Sequence, residues 1–359
     1  MKRAIAGLAL MYAVALALSC SAYAQAKVGE KDAGPLFPVV QNGKWWYINS
    51  GGQIVIEPQF AGVRKFSEGL ARVRVGNRWG YVDEAGSMVV KPTLDLANDF
   101  SEGLAAVHVG GKPTEGGGYA GGKWGYIDKT GKMVIKAELS LAEPFADGVA
   151  AVGRIGKARA GFSWITSYID KTGKPAFKSR FDMTWGFSEG LAAVLVGGLG
   201  KGKWGYIDRT GNMVIEAAFE EAHAFSEGLA PVKVGGKWGY VDKAGKTVVN
   251  PQFDEASSFA EGLAGVRTGT PETGKWGYAD KTGTIVIQQQ FDSAGSFSEG
   301  LADVRIGNQY GYVDKTGNMV IKPQFDDATG FWEGLARVKV GEKWGYIDKT
   351  GRYVWEPRE

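Results

Sequence analysis

The stretch Lys123–Gly131, KWGYIDKTG, returns letter for letter at Lys343–Gly351. Close copies stand between them, KWGYIDRTG at Lys203–Gly211 and KWGYVDKAG at Lys237–Gly245. Such recurrence calls for the period to be found before any element is assigned. Two markers fix it. One is F-x-[ED]-G-[LV]-A, starting at Phe66, Phe100, Phe145, Phe187, Phe225, Phe259, Phe297 and Phe331. The other is Y-[IVA]-[DN]-x-x-G, with its acid or amide at Asn49, Asp83, Asp128, Asp170, Asp208, Asp242, Asp280, Asp314 and Asp348.

From each Asp or Asn to the next marker Phe is 17 residues in all eight cases, whereas Phe to the next Asp is 17, 28, 25, 21, 17, 21, 17 and 17. One half of the unit is therefore fixed in length and the other is elastic, around a base period of 34. Every insertion enters between the F-x-E-G-L-A box and the following W-G-Y. Cut at the Leu of that box, the chain gives nine units: 36–69, 70–103, 104–148, 149–190, 191–228, 229–262, 263–300, 301–334 and 335–359.

Inside a unit the pattern is strand, turn, strand, turn, strand. Ala71, Val73 and Val75 alternate with Arg72 and Arg74, as a half-buried strand should. Gly76-Asn77 suits a tight hairpin, and Trp79-Gly80-Tyr81-Val82 returns as the second strand. Asp-x-x-Gly makes the next turn, its carboxylate accepting backbone N–H groups ahead of it while Gly131 takes a left-handed conformation. The third strand, such as Met133-Val134-Ile135, is apolar throughout and is expected at the centre of its sheet. The stretch after P-Q-F-[DA], up to the next F-x-E-G, is expected to be a short fourth strand or an irregular link.

The K-T-G triplet also occurs in serine β-lactamases, where it helps build the active site. Here it occurs five times, always behind the same Asp, and the S-x-x-K spacing that chemistry needs is absent from the chain. It belongs to the turn. The layout and the K-W-G-Y-I-D-K-T-G string resemble the WG-repeat family of bacterial β-rich repeats across essentially all of residues 36–359. The resemblance implies a scaffold and not a reaction.

The expected fold is all-β, a tandem array of nine antiparallel β-meander units with three to four short strands each. Pro38 and Pro231 occupy the place of Arg72, so the N–H there is dispensable, which disfavours a parallel β-helix. Between an open superhelical stack and a closed propeller-like ring, the matching start and end phases offer no strand to exchange. The sequence therefore leans toward the open stack, with the ring as the alternative.

Residues 1–24 have the form of a signal peptide: Lys2 and Arg3, an apolar run Ala4–Leu18, and Ala22-Tyr23-Ala24 as the cleavage pattern. Residues 25–35 form a linker. These features imply export to the periplasm or beyond, with a lipid anchor at Cys20 as the minor alternative. Cys20 is the sole cysteine, so the core alone must hold the fold. Lys plus Arg number 42 against 39 Asp plus Glu, a net +3 that falls to +1 without Lys2 and Arg3. That balance argues against nucleic acid or anionic lipid as partner. No segment beyond residue 24 has the roughly twenty apolar residues of a spanning helix.

Residues common to all units serve the scaffold, so recognition is sought where units differ. Insertions of 11, 8 and 4 residues enlarge the same hairpin tip in units 3, 4 and 5, and unit 7 carries 4. The candidate binding residues there are Tyr119, Arg154, Lys157, Arg159, Phe162, Trp164 and Lys201. Basic and aromatic groups together suit a protein, peptide or glycan. No catalytic, cofactor or metal site is expected. His108 and His223 occupy different places in the unit, and the repeated acids stand singly, as turn caps do and calcium loops do not. The favoured function is a non-catalytic binding scaffold of the periplasm or envelope. The alternatives are a glycan-active enzyme using Glu115 and Glu272, or a passive spacer.

Overall fold

The computed structural model describes residues 34–115, 118–158, 161–198 and 200–357, with the backbone alone for 154–165. The proposed signal peptide and most of the linker lie outside the described residues, as does Arg159. Leu36–Glu359 forms one compact unit. Its described regular elements are all strands, gathered into nine small antiparallel sheets.

A representative sheet runs Glu221–Ala222, Leu229–Val234, Lys237–Asp242, Thr247–Phe253, in that spatial order. The short fourth strand is thus present. It hydrogen-bonds to the first long strand of the unit after the one that encodes it, so sequence unit and sheet are out of phase by one short strand. The third long strand is at the sheet edge, not the centre. Only one neighbour pairs with it, and its first two residues, such as Ile54 and Val55 or Met133 and Val134, are exposed.

Two turns at one rim carry the repeated acids. Asp128 Oδ1 accepts the amides of Thr130 (2.9 Å) and Lys132 (3.1 Å) and the Thr130 hydroxyl (2.6 Å). The Thr130 hydroxyl and these amides outweigh desolvation and hold the carboxyl below its usual range. Ser-Glu-Gly-Leu forms the other turn. Ser226 and Leu229 exchange both backbone hydrogen bonds, with Glu227 at φ +53° and Gly228 at +85°. A glutamate in this left-handed region costs about 1 kcal/mol. Its carboxylate reaches into the next sheet, to the Gly262 amide (3.0 Å) and Lys281 (3.1 Å).

The fixed spacing has a physical cause. Tyr240 donates its hydroxyl to the Ser257 carbonyl (2.7 Å) and packs on Phe259 (4.7 Å between centroids), both in the following sheet. Tyr47, Tyr81, Tyr126, Tyr168, Tyr206, Tyr278 and Tyr312 likewise each donate to a carbonyl 17 residues on. The segment between Tyr and Phe spans two sheets, so its length cannot vary. The first hairpin spans nothing and can grow. The signature glycine lies where the third strand bulges across it: a Cβ at Gly239 would come within 2.4 Å of the Val249 carbonyl. In the first sheet Trp46 takes this place and packs edge-on against Trp355 of the last.

That contact belongs to the closure of a ring, the alternative arrangement, and not the open stack toward which the sequence leans. Tyr346 donates to the Pro38 carbonyl (2.9 Å), and Phe37 lies edge-on to both Trp332 (5.3 Å) and Tyr346 (5.5 Å). Phe37, Val39, Trp46, Ile48, Leu335, Tyr346 and Trp355 form one buried cluster. No strand is exchanged among the described residues. Side chains that join neighbours elsewhere in the array also join its ends.

Candidate functional site

The antiparallel meander places the first-hairpin tips and the links into each short strand at one rim, opposite the Asp and Glu turns. At this tip rim a second repeated acid acts, which the sequence reading did not single out. Asp254 accepts from the Gly269 amide (2.7 Å), Asp292 from Gly307 (2.7 Å), Asp326 from Gly341 (2.6 Å), and Asp182 from Gly197 (3.0 Å) and Gly198 (2.8 Å). Its signal was the acid that recurs directly after Phe253, Phe291, Phe325 and Phe181.

In the third sheet this acid is Asp95, wholly buried. It accepts from the Gly111 amide (2.6 Å), meets His108 Nδ1 (3.2 Å) and forms an ion pair with Arg78 of the second sheet. Burial lowers the His108 imidazole below its ordinary value. Arg78 also lies over the Tyr119 ring (5.4 Å), and the Tyr119 hydroxyl donates to the Asn77 carbonyl. Tyr119 thereby braces the enlarged hairpin against its neighbour.

The insertions of units 3 and 4 extend the ladder. Leu104–Pro113 pairs with Tyr119–Asp128, and Val149–Ala158 with Gly161–Asp170, each strand 10 residues against 6 in an ordinary sheet. Arg154, Lys157, Phe162 and Trp164 lie on this second hairpin, where Arg154 opposes Ile165, Ile155 opposes Trp164 and Lys157 opposes Phe162. Their side chains lie outside the description. Lys201 is exposed in a compact turn closed by Gly202 N–H on the Gly198 carbonyl (2.7 Å). Glu115 and Glu272 stand on the third and seventh sheets, at separate places around the ring.

Beside the extended hairpins lies a cavity of 490 Å³ between the fourth and fifth sheets, with largely apolar walls. Its origin is legible in register. One row across an ordinary sheet reads Glu221, Lys233, Trp238; in the fourth sheet it reads Leu141, Gly153, Thr166. A small residue replaces the long cation and threonine replaces the signature tryptophan, leaving space unfilled. Leu141, Thr166, Met183 and Trp185 line it, together with the acids Glu143 and Asp182. Trp185 is 48% exposed and stacks on Trp204 at 6.2 Å. Among the described residues no group of His, Cys, Asp and Glu could hold a metal ion.

A closed ring of nine antiparallel meanders is a nine-bladed β-propeller. A structure described as the crystal structure of the eukaryotic initiation factor is similar, at TM-score 0.59 and 11% identity, covering 90% of this chain and 96% of that one. Dihydro-heme d1 dehydrogenase NirN in complex with DHE matches at TM-score 0.45 and 13% identity, covering 92% and 75%. At such identity the first likeness concerns fold alone, and the second carries no argument. No curated protein matches the chain. The WG containing repeat model matches residues 47–79, 79–112, 124–153, 167–199, 204–238, 238–269, 276–310 and 310–344, and the chain belongs to that family.

Proposed function

We propose that this propeller is a non-catalytic binding scaffold exported to the bacterial periplasm or envelope, and that it holds a protein or peptide partner on the tip rim of blades 3–5. The observation that carries the reading is the cavity left where Thr166 replaces the signature tryptophan. A cavity of 490 Å³ with apolar walls and an exposed indole at its mouth suits an apolar side chain of a partner. The two long hairpins alongside add area to the contact. The repeated carboxylates are occupied by backbone amides, threonine hydroxyls and lysines, which supports a scaffold over a hydrolase. The leader-like residues 1–24 support export.

The test is Thr166→Trp, which refills the row, together with a variant whose Val149–Asp170 hairpin is cut to the Gly235-Gly236 turn of blade 6. Envelope extract is passed over wild type and both variants, with unfolding curves as the control for folding. Partners retained by wild type and lost by both folded variants are the expected outcome. Equal retention by the folded variants sinks the assignment of this face.

A further inference from the structure

The short strand of each blade is encoded by the preceding unit, so blade 1, which starts at Phe37, has no short strand among the described residues. In other blades that strand covers the first long strand; in blade 6 the His223 amide bonds to the Pro231 carbonyl (3.1 Å). Pro38 holds the equivalent place in blade 1, and its carbonyl receives the Tyr346 hydroxyl instead. Beside it lies a cavity of 260 Å³. Its walls come from the segments that follow the short strands of blade 9 (Thr329, Gly330) and blade 2 (Arg64, Lys65), and from Phe37 and Pro38. The space corresponds to the missing strand.

Arg64, Lys65 and Arg337 face this space, and none of the three has an ion pair among the described residues. Arg337 lies over the rings of Trp344 (4.1 Å) and Trp45 (5.5 Å), and Lys65 Nζ over Trp332 (4.5 Å). Arg72, the counterpart of Arg337 in blade 2, is by contrast paired with Asp99 (2.7 Å). Burial lowers both the Lys65 ammonium and the Arg337 guanidinium from their ordinary values. Asp327 acts on Arg337 from blade 9's short strand without pairing with it, and Arg64 opposes it. A partly desolvated guanidinium such as Arg337, without a paired counter-charge, is costly, and an anion entering the slot relieves that cost while the more exposed Lys65 adds charge at its mouth. The part-exposed rings of Trp45 and Trp332 supply flat walls, with Phe37 and Tyr346 packed behind them.

We propose that this seam slot binds a small carboxylate carried on a flat, C–H-rich body, with Arg337 and Lys65 holding the carboxylate and the rings stacking on the body. Guanidinium–carboxylate pairing and ring stacking are the chemistry of both acidic sugars and aromatic acids. The site is independent of the blade 4 and 5 cavity.

Titration calorimetry with sodium glucuronate and sodium benzoate, against glucose and benzamide, tests the proposal and separates the two sources. At least one carboxylate should bind tenfold or more tightly than its neutral partner. Arg337→Gln should weaken that binding at least tenfold and Lys65→Gln several-fold, while Thr166→Trp leaves it unchanged. Lys65 is exposed, so its variant serves if Arg337→Gln fails to fold. Equal binding of neutral and charged probes, indifference to the folded seam variants, or binding that appears only after residues 25–33 are deleted would each overturn the proposal.

Discussion

The Tyr346 hydroxyl donates to the carbonyl of Pro38, 308 positions earlier, and this bond stands where other blades bond to a neighbour 17 residues on. Closure therefore repeats the ordinary blade contact with one partner displaced. Tyr346→Phe should cost about 1 kcal/mol, the worth of one hydrogen bond. Phe37→Ala should cost about 3 kcal/mol or more, since it empties the place between Trp332 and Tyr346. Urea unfolding measures both. If Phe37→Ala costs no more than an exposed substitution, the seam does not hold the ring.

Glu227 occupies a left-handed conformation and is held there by bonds to Gly262 and Lys281 of the next blade. Glu227→Ala keeps the strain and loses the bonds, so it should destabilise by roughly 1–2 kcal/mol. Glu227→Gly loses the same bonds but removes the strain, and should be close to neutral. Thermal unfolding of the pair decides it. An alanine variant as stable as the glycine variant would remove the left-handed strain from the account.

The all-β class, the nine units, the antiparallel meander and the Asp turn were all legible because each rests on local chemistry: alternation, Gly-Asn, Asp-x-x-Gly. Ring closure was not, because it depends on Phe37, Trp46, Tyr346 and Trp355 meeting across the whole chain, and no spacing encodes that meeting. The edge position of Met133-Val134 was hidden for a related reason. An apolar run reads as buried on both sides, whereas these residues are exposed at a sheet edge. At the candidate site the enlarged tips were visible as stretched spacing. The cavity was not, although Thr166 and Ser167 stand in plain view where Trp and Gly are expected; only register shows that Gly153 is thinned beside them.

Asp303 stands where blade 2 has Arg72, is largely removed from water and has no ion pair among the described residues. Desolvation, with Asp327 adding to it, pushes its carboxyl up to about 6. The unfolded value is about 4, so the native state binds the extra proton between roughly pH 4 and 6. Stability from this group is greatest below pH 4 and falls as pH rises through 6. Asp303→Asn should therefore raise stability by about 1–3 kcal/mol at pH 7.5 and leave it nearly unchanged at pH 4. Urea midpoints at the two pH values measure the difference, and an equal effect at both would exclude a raised Asp303.

Asp95 and Asp326 hold equivalent hairpin tips by the same amide bond, yet they differ in what else depends on them. Asp326 is exposed and its carboxylate accepts from the Gly341 amide, so Asp326→Ala should cost about 1 kcal/mol. Asp95 is buried, neutralises Arg78 and meets His108 beneath the enlarged hairpin. Removing it strips the Gly111 amide and His108 of their partner and leaves the partly solvated Arg78 without its counter-charge, and Asp95→Ala should cost about 2 kcal/mol. The loss should also be local at first, because Arg78 and Tyr119 tie the long hairpin of blade 3 to blade 2 through this acid. Limited proteolysis should cut the Asp95→Ala variant near residues 112–118 under conditions that leave Asp326→Ala whole. Cleavage of both variants at the same rate would show that the buried cluster adds nothing to the bracing of that tip.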